Sequence, residues 1–124
     1  MLADELSTTL LGNIQRWQLE TFGIEQDPER VWAHMTEQEI RRELQPALFS
    51  YLHWCKGQGI NPWEGPVEIR ADIAAEIADV MHFCCSLMNF IGMDAERALA
   101  AKFDKNVSKR NFKQDPATGF YRGG

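Results

Sequence analysis

Asp72, Glu76 and Asp79 stand at i, i+4 and i+7 within the segment 67–91, whose other residues are mostly apolar. On a helix they share one face. Like charges so spaced destabilise an isolated helix by ~0.2–0.5 kcal/mol per pair, so either solvent or a ligand must account for them. A second set comes from "TEQEIRREL": Glu39 and Glu43 point the same way at i,i+4, and Glu37 lies on nearly the opposite side. If two helices bring these carboxylates within about 4 Å, each pair repels by roughly 4 kcal/mol at an effective dielectric near 20. A divalent cation removes that repulsion. Oxygen donors alone suit Mg²⁺, with Mn²⁺ as a substitute. The competing accounts are a solvated acidic face for residues 72–79 and a capping box Thr36-x-x-Glu39 for the second set.

Lys102, Lys105, Asn106 and Lys109 fall at i, i+3, i+4 and i+7, followed by Arg110. Mg²⁺ shares its coordination sphere with substrate phosphates, so acids for a metal and lysines for phosphate together describe a polyphosphate site. A basic helix C-terminus complementing the dipole would explain Lys109 and Arg110 without a ligand. Asn13, Arg16 and Trp17 share a face able to hydrogen-bond and stack on a nucleobase, and Trp17 as a core residue is the alternative. His82, one turn after Asp79, either orients it or is a buried structural histidine. Cys84 and Cys85 lack the paired spacing of a zinc shell and are expected in or near the core.

Four helical segments hold these residues, since apolar positions recur at three and four and period-two alternation is absent. The expected class is all-α, a four-helix bundle. The first helix is expected from Leu2 to Thr21, ended by Gly23. Asp27-Pro28 opens the second, which runs to Leu44 and is kinked or broken by Pro46, with 47–56 as its continuation. Gly57 to Pro66 is a loop. The third helix spans Val67 to Ile91, with Ile73, Ile77, Val80, Cys84, Met88 and Ile91 as its core seam. Gly92 ends it, and Asp94 caps a fourth through Val107. The tail has no helical period. Residues 1–110 therefore form the helical domain and 111–124 an irregular tail.

The 124 residues suit one domain, and 13 Lys and Arg against 18 Asp and Glu give a net charge of −5 that disfavours nucleic acid. Three cysteines fit a reducing, cytoplasmic setting. No basic leader and no long uncharged apolar run suggest a membrane. A chain of this size buries roughly two thirds of its unfolded surface, so an open groove calls for a partner, and a homodimer or homotetramer is expected.

"EIADVMHF", "GMDAERALAAKFDKN" and "RNFKQDPATGFY" together resemble the all-α nucleoside triphosphate pyrophosphohydrolase superfamily, which includes MazG-type enzymes, dimeric dUTPases and bacteriophage dCTPase/dUTPase enzymes. The resemblance is strongest over Glu68 to Tyr121, and "NIQRWQLETFG" is similar to the first helix of MazG-like members. It implies a MazG-like bundle completed by oligomerisation. An E-x-x-D at Glu76 and Asp79 would hold Mg²⁺ with an acidic pair on the preceding helix, here Glu39 and Glu43. Lys105, Asn106 and the tail with Tyr121 would bind the triphosphate and nucleoside, with Lys102, Lys109 and Arg110 of the same cationic face beside them and Asn13 and Trp17 of the first helix enclosing the base. The implied activity is conversion of a (d)NTP to (d)NMP and pyrophosphate in nucleotide-pool control, on dUTP or dCTP or on a purine such as dGTP. A helical interaction module without catalysis is the competing class.

Overall fold

A computed structural model describes residues 5–23, 27–109 and 112–123. The protein is mainly helical. Its elements are α1 (Leu10–Phe22), α2 (Pro28–Ala33), a π-helical stretch His34–Leu44, α3 (Gln45–Gln58), a 3₁₀ turn Pro62–Glu64, α4 (Val67–Phe90), α5 (Ala95–Ser108) and a hairpin of β1 (Phe112–Gln114) and β2 (Tyr121–Gly123). The hairpin is antiparallel, pairing Lys113 with Arg122 and Gln114 with Tyr121. It corrects the expectation of an irregular tail: Gly119, at φ 76°, turns the chain, and the amide of Asp115 donates to the Phe120 carbonyl.

The first helix starts later than its periodicity suggests. Residues 1–4 lie outside the described residues, and 5–9 are not α-helical; Thr9 caps α1 and its hydroxyl accepts from the Gly12 amide. The reason is a long-range clasp. The amide and hydroxyl of Ser7 donate to Asp94 Oδ2 at 2.7 and 2.8 Å, while Oδ1 of the same carboxylate accepts from the Arg97 amide and caps α5. Leu6 is buried beside it, and a Cβ on Gly12 would lie 1.8 Å from the Ser7 carbonyl oxygen, so only glycine lets this segment fold back.

The Asp94 carboxyl responds to opposing forces. Burial raises its pKa, but hydrogen bonds from the Arg97 amide and from Ser7, with the Arg97 charge, outweigh burial and hold it below the usual range. A depressed carboxyl contributes stability that is present above its unfolded pKa of about 3.9 and lost as pH falls through the folded value. Asp94→Asn is therefore expected to flatten the acid limb of a stability-against-pH curve. An unchanged limb would show that the clasp does not carry this charge.

Asp27 caps α2 ahead of Pro28, Gly23 and Gly59 end α1 and α3 at positive φ, and Asp94 caps α5, all as the residue types dictate. Pro46, by contrast, does not break its helix, and the chain stays helical from Pro28 to Gln58. The π-helical stretch resolves the conflict. Its wider i→i+5 turns, such as Gln45 N–H to the Ile40 carbonyl, run up to the proline, which then occupies the first turn of α3, where a missing N–H matters least.

Apolar burial is modest. One cluster packs Tyr51, Cys55 and Ile73 between α3 and α4, with Leu44, Leu48 and Ile60 against it. The α1–α4 contact is sewn largely by amides. Gln15 is fully buried and Gln18 nearly so. Gln15 Nε2 donates to Asn89 Oδ1 and the Met93 carbonyl, its Oε1 accepts from the Ala95 amide, and Gln18 Nε2 donates to the His82 carbonyl. The expected core seam on α4 is corrected: Ile73 is buried, but Ile77, Cys84 and Ile91 are exposed and Val80 and Met88 only half-buried. This chain buries a different arc of α4, through Cys85 and the face bearing Asn89.

A candidate acidic metal centre beside an aromatic groove

Two helices deliver the acids. Glu76 and Asp79 are one turn apart on α4, and Glu39 projects from the π-helical stretch, which packs along α4. One carboxylate oxygen from each of the three lies within 4.8 Å of the other two. Glu39 and Glu76 are half-buried and Asp79 is exposed. The pKa of Glu76 is raised, first by burial and then by the charges of Asp79, Glu39, Glu43 and Asp72. Five carboxylates thus share one electrostatic neighbourhood with Glu76 at its centre.

The remaining predicted acids sort by register. Glu43 is exposed, accepts from Gln38 Nε2 at 3.2 Å, and contributes its charge to Glu76, while its oxygens stand outside the close trio. Glu37 points elsewhere and pairs with Arg41 at 3.1 Å on the surface. A π turn holds about one residue more than an α turn. Residues four apart then fall just short of a full turn, as residues three apart do in an α-helix. The π register therefore keeps Glu43 on the same side as Glu39, where its charge acts on Glu76 although its oxygens stand apart. Thr36 is no cap, because its hydroxyl donates to the Trp32 carbonyl at 3.0 Å, inside the helix near the start of the π stretch.

Beside the acids lies a groove of about 430 Å³ lined by Trp17 and Phe22 of α1, Arg30, Val31 and His34, and His82, Phe83 and Ser86 of α4. His34 links it to the acids. His34 Nε2 is 3.8 Å from Glu39 Oε1, and the His34 ring lies 5.3 Å from that of Phe83, one turn beyond Asp79. Trp17 meets Phe22 edge-on at 5.5 Å, with half its surface open. His82 is an exposed lining residue, which corrects the expectation of a buried structural histidine. Sequence reading did not single out Arg30, His34 or Phe83. The available signal was the i,i+4 spacing of Arg30 and His34, which puts a cation and an imidazole on the helix face that precedes Glu39.

Other predicted contacts are placed differently. Asn13 accepts from Arg16 Nη1, and Arg16 Nη2 donates to the carbonyls of Leu6 and Ser7, so this pair secures the N-terminal segment while Trp17 alone lines the groove. Lys102 rims a second groove, with Met81, Cys84 and Met88, on the side of α4 roughly opposite Asp79. Lys105 and Asn106 follow it along α5, whose main packing partner is α1, and Lys109 lies just past its end. Arg110 lies outside the described residues. Tyr121 is two-thirds exposed on the hairpin.

Against family models, curated proteins and solved structures, the chain has no match. Three carboxylate oxygens within reach of one atom, no nitrogen or sulfur among them, and unrelieved repulsion at Glu76 fit a hard divalent cation of the Mg²⁺ or Mn²⁺ kind.

Proposed function

We propose that this chain is a Mg²⁺-dependent nucleoside triphosphate pyrophosphohydrolase of the all-α, MazG-like kind, releasing nucleoside monophosphate and pyrophosphate. The observation that carries the reading is the meeting of Glu39 with Glu76 and Asp79, with Glu39 3.8 Å from His34 of an aromatic groove. Glu39, Glu76 and Asp79 would hold the metal, with Glu43 adding charge beside them. When bound, Mg²⁺ supplies Lewis acidity toward phosphoryl oxygens and lowers the pKa of a coordinated water. Trp17 and Phe83 offer rings against which a base can stack, and Arg30 and His34 offer donors to phosphate between base and acids. In this reading the bundle is completed by a second copy, since among the described residues only seven hydrophobic side chains are buried.

Incubation with a panel of NTPs and dNTPs, including dUTP, dCTP and dGTP, in millimolar Mg²⁺ is expected to release pyrophosphate from at least one. The same Mg²⁺ should raise the melting temperature by mass action on the native state. Orthophosphate as first product would mean a different hydrolase. No turnover and no thermal shift would leave the acidic face as a protein-binding surface.

A further inference from the structure

The face of α4 turned away from the acids carries Ile77, Met81, Cys84, Met88 and Ile91 at steps of 4, 3, 4 and 3. That is a heptad seam, the pattern that packs against another helix. Four of the five are exposed in the chain, Ile91 to 71%, and Met88 is half-buried. An adjoining groove of about 320 Å³, with almost no polar lining, runs between this seam and Leu99 of α5. Leu99, which lines the groove, and Phe103, one turn further along α5, are exposed to 60% and 63%, so apolar surface continues beyond α4 itself.

The seam reads isoleucine, methionine, cysteine, methionine, isoleucine in both directions, with Cys84 at its centre. An isologous two-fold contact requires a surface complementary to itself, and a stripe whose order survives reversal supplies this for an antiparallel pair. Ile77 then meets the far-end isoleucine of the other copy, and Cys84 meets its counterpart at the axis. Antiparallel dipoles favour the same orientation. A parallel pair would instead set the two Glu76 side chains at one level. By length and composition α4 could cross a membrane, but Glu76 and Asp79 lie within its most apolar stretch, where charges are costly in lipid.

We propose that two copies of this chain associate through an antiparallel α4–α4 contact centred on Cys84, leaving the acidic face of each α4 open. This rests on the self-association included in the reading above, and not on the hydrolase activity. Cys55 and Cys85 are buried within the chain, so Cys84 is the thiol able to meet its counterpart in a second copy.

Air oxidation catalysed by copper phenanthroline should link the two Cys84 thiols of the native protein in a disulfide, giving a dimer on a non-reducing denaturing gel that reductant dissolves, and Cys84→Ser should abolish the product while the chain still elutes as a dimer. With Cys84→Ser as background, mixing Ile77→Cys and Ile91→Cys chains should cross-link them to each other. Met81→Lys, at a position half-exposed in the single chain, should halve the mass in solution with an unchanged helical spectrum. A native dimer that does not cross-link at Cys84 overturns the seam and leaves self-association standing. Cross-linking of Ile77→Cys to itself overturns the antiparallel arrangement. A monomer, whether free or taken up by phosphatidylcholine vesicles, overturns the pairing altogether, and none of these results bears on pyrophosphate release.

Discussion

Glu76→Gln is expected to lower pyrophosphate release by about a hundredfold or more, because a neutral amide binds a hard cation poorly and the cation supplies much of the charge stabilisation in such chemistry. The side chain keeps its size, so the helix and its packing persist. Burial, and then the charges of Asp79, Glu39, Glu43 and Asp72 around it, raise the pKa of Glu76. Removing its charge relieves that repulsion. In the absence of metal, the variant should melt no lower than the parent, and its response to Mg²⁺ should largely vanish. Two readouts therefore move in opposite directions, which general misfolding cannot imitate. A variant that turns over at the parental rate would take Glu76 out of the metal shell, and with it the main support for the hydrolase reading.

Gln15→Leu should cost about 3–5 kcal/mol of stability, the sum expected when a fully buried amide leaves several partners without hydrogen bonds. Its side chain ties α1 to the Asn89 side chain, to the Met93 carbonyl and to the Ala95 amide at 2.8 to 3.0 Å. Leucine is close in size and creates little void, so the loss isolates the polar network from packing. Against a total of roughly 5–15 kcal/mol for a domain, this is a large fraction. Urea denaturation should show a lowered midpoint with an unchanged slope. A drop under about 1 kcal/mol would mean that water replaces the amide freely and that the apolar clusters alone fix α1.

How legible these features were depends on whether they are local. Caps and terminators at Gly23, Asp27, Gly92 and Asp94 act within one turn, and the structure places them where the residue types require. Acids at Glu76 and Asp79 share a face by helical geometry alone. That Glu39 and Glu43 share a face opposite Glu37 was visible on a helix, but which of these acids meets Glu76 was decided by packing. The π register was not visible, because the extra residue per turn reflects a compromise among Thr36, Pro46 and the packing along α4. Nor could periodicity distinguish a seam buried within the chain from one left outside. Ile77, Met81 and Ile91 satisfy the same pattern in either case.

By itself, then, the sequence determined the mainly helical class, the ends of most helices and the presence of acidic and basic faces, since each depends on neighbours within a few residues. Only the tertiary structure decided which faces meet. It set Glu39 against Glu76 and Asp79, opened a groove lined by His34 and Phe83, and put Lys102 on the other side of α4. It also turned Gln15 and Gln18 inward and Trp17 outward. The physical reason is that a helix fixes angles around its own axis, while the rotation of one helix against another follows from the summed packing and hydrogen bonding of residues distant in the chain.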